Sequence, residues 1–122
     1  MSSPNKPEIE RRAKQRYRAT IPLHLHHDET PTQVPTRDIC LHGLSCRLPS
    51  PLNLFTKYRF RLMVPVEEGR VEEVDGEGIV VRVEEEEVDG RILFETALYF
   101  QQLDDGHRRI LETFLENSDP ID

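Results

Sequence analysis

The chain predicts a mainly β domain: a six-stranded antiparallel barrel, a helix at its C-terminal end and a flexible arm at its N-terminal end. Three observations carry this. Between Ala19 and Phe100, apolar and polar residues alternate in six short runs, the period of a strand with one buried face. Turn-forming Pro, Gly, Asp and Asn separate most of those runs at short intervals, as in an all-β domain. Only the last segment changes to helical spacing. With 122 residues, 36% of them apolar, the chain can bury one modest core and no more.

The elements follow in order. Residues 1–10 carry two prolines and two serines without periodicity, the pattern of a disordered tail. Residues 11–18 hold Arg11, Arg12, Lys14, Arg16 and Arg18, five cations in eight positions. Having no aliphatic anchor beyond Ala13, they are expected to form a loose basic arm. Residues 19–118 supply the barrel and helix. Ile21, Leu23 and Leu25 alternate with Pro22, His24 and His26 in a first strand, where proline calls for an edge or a bulge. After a turn at Asp28–Pro31, a second strand spans Val34–Leu41, with Ile39 and Leu41 inward and Asp38, Cys40 and His42 outward. Gly43 punctuates a tight turn, and Leu44, Cys46 and Leu48 mark the core face of a third strand. Pro49-Ser50-Pro51 breaks the chain before a fourth strand on Tyr58, Phe60, Leu62 and Val64. Glu67–Asp75 is expected as an acidic hairpin loop, Gly78–Val83 as a fifth strand, Glu84–Gly90 as a second acidic turn and Arg91–Phe100 as a sixth strand. Asp104 or Asp105 can cap a closing helix. Ile110, Leu111, Phe114 and Leu115 recur on one face of it.

Charge narrows the function classes. The net charge is −7, and eleven acidic residues lie between Glu67 and Asp89. A nucleic-acid polymer needs a broad cationic face. A compact anion needs only a local positive site, which the basic arm provides. No apolar run approaches the roughly 20 residues of a membrane span. The first residues show no apolar segment after their charges, so no secretory signal is expected. Cys40 and Cys46 are the only cysteines. Two thiols make no disulfide framework, and a reducing cytoplasm is the expected location.

Two constellations carry chemistry. Arg12 and Arg16 stand four apart in the arm, and a guanidinium offers a planar fork to phosphate oxygens or to the O6/N7 edge of guanine. The plain alternative is a solvated basic tail. On a strand, Asp38 and Cys40 share a face, and the carboxylate can accept from the N1–H and N2–H donors of guanine. Gly43, able to take positive φ, lets a flat base approach the backbone. The plain alternative is a set of ordinary turn residues.

Arg12-x-x-x-Arg16, followed by Asp38-x-Cys40-x-x-Gly43, resembles the signature of the PilZ domain, R-x-x-x-R followed by D/N-x-S-x-x-G. The resemblance spans nearly the whole chain. It implies a six-stranded antiparallel barrel that binds the bacterial second messenger cyclic di-GMP. It makes Arg12 and Arg16 the clamps on phosphate and guanine edges, Asp38 the base acceptor and Gly43 the point of close approach. Arg11, just before the motif, is similar to the arginine of members that take a stacked pair of ligand molecules. Cys40 stands where the family has Ser. A thiol is the weaker hydrogen-bonding group, so binding is expected to be weakened by about tenfold for one ordinary hydrogen bond lost.

Other chemistry finds little support. His24, His26, His27, Cys40, His42 and Cys46 are zinc-competent types, but their spacing fits neither a finger nor a ribbon. Glu84–Glu87 lacks the pattern of a calcium loop. No nucleophile–base pair or phosphate-binding glycine loop stands out, so no enzymatic activity, cofactor or metal is expected. The expected function is a receptor whose arm folds onto the barrel with its ligand and presents a changed surface to an unidentified downstream protein in motility, biofilm or virulence control. The rival expectation is an adaptor of the same fold that binds no nucleotide, with Cys40 as the feature in its favour.

Overall fold

The structure, a computed structural model, describes residues 15–27 and 30–121. The expected disordered tail and arm residues 11–14 lie outside the described residues. The strands are β1 (Tyr17–Arg18), β2 (Pro22–His27), β3 (Thr30–Ile39), β4 (Gly43–Leu48), β5 (Lys57–Pro65), β6 (Val71–Val88), β7 (Arg91–Gln102) and β8 (Asp119–Pro120). One helix, α1, spans Asp105–Glu116. Neighbouring strands follow the order β2–β5–β6–β7–β4–β3, and pairing of β3 with β2 closes the ring. Every ladder is antiparallel. This is the six-stranded barrel the alternation predicts, and closure removes the exposed strand edges that an open sheet would present.

Alternate residues point inward and fill the barrel. Leu23, Leu25, Leu62, Val64, Val74 and Val80 have no exposed surface. The helix closes the core from outside: Leu111 and Leu115, four apart on one face, are buried, and Asp104 Oδ1 caps it by accepting from the His107 N–H at 2.9 Å. The Arg108 side chain donates to the Leu41 carbonyl at 3.3 Å, which ties the helix to the connection between β3 and β4.

Several boundaries differ from the sequence reading, each for a local reason. The acidic loop expected over Glu67–Asp75 shrinks to a turn around Glu67–Gly69, and β6 starts at Val71. Its acidic residues are tolerated in the ladder because Arg61 on β5 pairs with both Glu73, at 2.8 Å, and Asp75, at 2.7 Å. The acidic turn expected over Glu84–Gly90 is strand as far as Val88. Only Asp89 and Gly90 form the turn, at φ 51° and 80°, the left-handed pair that a two-residue hairpin demands. Pro22 opens β2 inside the barrel wall, before the first register pair with β5, Leu23 with Leu62, so its missing N–H removes nothing from that ladder. The second strand ends at Ile39, not Leu41, and residues 40–42 form the connection to β4.

The arm was expected to run loose through residue 18. Instead, β1 pairs with the end of β3, Tyr17 with Ile39 and Arg18 with Asp38, and with β8 on its other side. β1 and β2 lie along the same edge of β3, separated by Ala19–Ile21. Thr36 bridges that gap. Its hydroxyl accepts from the Ile21 N–H at 3.1 Å and donates to the Ala19 carbonyl. Arg16 therefore enters the site from a fixed backbone: its carbonyl accepts from the Ile121 N–H at 2.8 Å.

Candidate ligand-binding groove

A groove of about 230 Å³ crosses the outer face of β3, β4, β7 and β6. Strand register explains its shape. Asp38 lies opposite Ser45, Ser45 opposite Ala97, and Ala97 opposite Arg82. One row of side chains thus runs across four strands, with two small residues in the middle and ionised ones at its ends. Gly43 adjoins this floor, and His42, stacked on Tyr99 with ring centroids 6.0 Å apart, stands beside it.

Two bulges aim the ends of the row. Register slips between Thr36 and Asp38 and again between Val80 and Arg82. An inserted residue breaks strict alternation, so consecutive residues can serve one face. Val81 and Arg82 both line the groove in consequence. On β3, Arg37 turns to Glu95 at 2.6 Å while Asp38 turns to the groove.

The Arg16 guanidinium pairs with the Asp38 carboxylate, Nη2 to Oδ2 at 2.5 Å. The hydrogen bond and the charge of Asp38 raise the guanidinium's already high pKa further. Sequence reasoning placed these two residues at one site, and the structure brings them into direct contact.

Cys40 also lines the groove, but its sulfur is engaged. Sγ accepts from the His42 N–H at 3.3 Å, inside a turn closed by the Cys40 N–H donating to the Gly43 carbonyl at 2.8 Å. Gly43 opens β4 rather than forming a turn, and its φ is not positive. Its need for glycine arises elsewhere: a Cβ there would sit 2.2 Å from the Leu98 carbonyl oxygen of β7. Arg11 and Arg12, the remaining expected site residues, lie outside the described residues.

Sequence reasoning passed over Ser45, Val81, Arg82, Ala97 and Tyr99 as groove residues. Ser45 could have been found, since inward Leu44 and Cys46 flank it. It is 3% exposed, and among the described residues its Oγ is the only buried side-chain polar atom without a hydrogen-bond partner. Among the described residues, no group of three or more His, Cys, Asp or Glu is placed to hold a metal ion. His24 and His26 lie opposite Arg61 and Arg59 on β5, while His42 stacks on Tyr99.

The two thiols differ in environment. Burial pushes the Cys46 pKa up to about 12, with the charge of Glu95 adding to the effect. The thiolate is the nucleophile, so at pH 8 native protein should take up iodoacetamide at half-buried Cys40 and not at Cys46. Mass spectrometry of the alkylated peptides checks this. Labelling of Cys46 at a rate matching its rate in denaturant would contradict the buried placement.

The sequence matches the PilZ domain over residues 10–117. The chain belongs to the PilZ domain family. Its barrel resembles the inhibitor of motility MotI (DgrA) of Bacillus subtilis, with a TM-score of 0.70 at 15% identity over 84% of this chain and 47% of that one. K. pneumonia MrkH in its apo state gives a TM-score of 0.69 at 18% identity, over 84% of this chain and 49% of that one. The PilZ domain of YcgR from Escherichia coli, solved with c-di-GMP, gives 0.61 at 17% identity, over 86% of this chain and 92% of that one. The chain thus spans about half the length of the first two proteins and nearly all of the YcgR domain. Comparison with curated proteins finds no match. Among the described residues, no helix of this PilZ domain is long and apolar enough to cross a membrane.

Proposed function

We propose that this PilZ domain is a non-enzymatic cytoplasmic receptor for cyclic di-GMP. The observation that carries the reading is the groove itself. It gathers Arg16, Asp38, Cys40 and Gly43 around a floor of small residues, Ser45 and Ala97. The PilZ domain of YcgR, a barrel of the same fold, was solved with this ligand. Each part has a chemical use. The small floor admits a flat guanine against the sheet. The Asp38 carboxylate accepts from the base's N1–H and N2–H, and guanidinium groups take the phosphates. Arg11 and Arg12, which precede the described residues, are the further cations this reading assigns to the ligand.

Binding then becomes an exchange of partners. In the structure Arg16 neutralises Asp38. With ligand, guanine donors replace the guanidinium on Asp38, and Arg16 moves to phosphate. The arm residues ahead of Arg16 follow, which changes the surface that a downstream protein in motility, biofilm or virulence control reads. Cys40 supports a second reading, an adaptor that takes no nucleotide, because its sulfur is already spent on the His42 N–H.

Calorimetric titration with cyclic di-GMP decides between them. The receptor reading expects saturable binding, with GMP and cyclic di-AMP far weaker. One ligand molecule per chain would remove the stacked-pair role of Arg11. Absence of heat and of any amide shift with ligand in large excess would leave the adaptor reading.

A further inference from the structure

We infer that the ligand site extends across the sheet to Arg82, which supplies a phosphate contact from the barrel wall opposite Arg16. The inference rests on the receptor reading above and adds a cation that the arm motif does not contain. Three observations lead to it. First, Arg82 closes the same cross-strand row that Asp38 opens, three strand spacings away, or about 14 Å of sheet. The groove is thus bounded by a cation at each end. Second, the bulge at Val81 turns both Val81 and Arg82 into the groove. Val81 stays 46% exposed, a bare apolar side chain beside a cation, and that pairing suits a base and its phosphate. Third, Ser45 Oγ, buried and without a partner, lies between the two ends. A buried hydroxyl without a protein partner in a groove floor is a hydrogen-bonding group available to a ligand seated there.

Arg82 is also free to respond. Its side chain is 48% exposed. Its Nε lies 3.2 Å from the exposed Glu84, and its Nη2 lies 3.9 Å from Glu95. Glu95 is already matched by Arg37 at 2.6 Å. Loose, solvent-screened pairing of this kind yields easily to a phosphate.

The test uses the full chain, cyclic di-GMP as probe, and Arg82→Ala and Arg82→Gln. Arg109→Ala is the control: it deletes the same charge from the exposed face of α1, and Arg109 does not line the groove. Arg82→Ala is expected to weaken binding about tenfold, the scale of one charge-assisted contact, and to flatten the salt dependence of the association constant. Arg82→Gln should do nearly the same, while Arg109→Ala should bind as wild type. Wild-type affinity in Arg82→Ala, or an equal loss in Arg109→Ala, overturns this inference and leaves the receptor reading standing. No binding by the wild type overturns both.

Discussion

Asp38→Ala is expected to weaken cyclic di-GMP binding by about 5- to 30-fold. Two effects oppose each other, and their magnitudes decide. Removing Asp38 frees Arg16, which is paired with it in the structure. That pair is half in water, with 55% of the Arg16 side chain exposed against 15% of Asp38, so breaking it is worth about 1 kcal/mol at most. Against this stands the loss of a carboxylate that accepts from two guanine donors, about 2–3 kcal/mol for hydrogen bonds to a charged group. The loss wins. Asp38→Asn separates the two parts, because it keeps a side-chain oxygen while removing the charge that holds Arg16, and it should fall between wild type and Asp38→Ala. Calorimetry on the three proteins checks the order. An Asp38→Ala protein that binds as tightly as wild type would mean that guanine does not sit on β3.

On the receptor reading, the exchange of partners also has a consequence for ligand selectivity. A ligand phosphate must compete with Asp38 for Arg16, while the guanine must compete with Arg16 for Asp38. Neither step is favourable alone: the first strands a carboxylate, and the second strands a guanidinium. Both are satisfied when the whole dinucleotide is seated. The arrangement favours ligands carrying base and phosphate together over free guanine or inorganic phosphate.

The barrel was legible because its core strands are amphipathic. Leu23, Leu25, Phe60, Leu62 and Val64 announce their faces without help from distant residues. The acidic stretches were not, because what makes them strand is remote. Glu73 and Asp75 need Arg61, and Glu86 on β6 needs Arg47 on β4, whose Nε reaches across β7 to 3.2 Å. Without those partners a run of glutamates has the composition of a loop. The candidate site divides in the same way. Arg16, Asp38 and Gly43 stand in a motif of fixed spacing. Ser45, Ala97 and Arg82 join it only through register, and the register contains two bulges that no alternation pattern shows. Residues 17–18 looked unanchored because their partners are the far end of β3 and the C-terminal β8, the latter about a hundred residues away in sequence.

Gly43 needs to be glycine for a reason the sequence did not show, and its replacement should have the largest effect on stability. The sequence suggested a glycine chosen for positive φ. The structure instead shows a glycine pressed against β7. An added Cβ would meet the Leu98 carbonyl oxygen at 2.2 Å and the Leu98 carbonyl carbon at 3.2 Å, and backbone atoms cannot rotate away as a side chain can. Relief requires β4 and β7 to part at the pair Gly43–Tyr99. That opening strains the neighbouring bond from the Phe100 N–H to the His42 carbonyl, 2.7 Å long, and the turn carrying Cys40. Overpacking of this kind costs about 3 kcal/mol. For a domain of this size that lowers Tm by about 10–20 °C. Gly106→Ala is the matched comparison. It adds the same methyl group in the first turn of α1, where the nearest atom, Asp104 Oδ1, lies at an ordinary 3.4 Å. Helix propensity there favours alanine by up to about 1 kcal/mol. Thermal melts of the two variants should therefore move in opposite directions from wild type. Gly43→Ala should also lose ligand affinity, since the displaced turn carries part of the groove. A Gly43→Ala protein melting with the wild type would show that β7 does not press on this position, and the close approach would then have to be reassigned to the ligand.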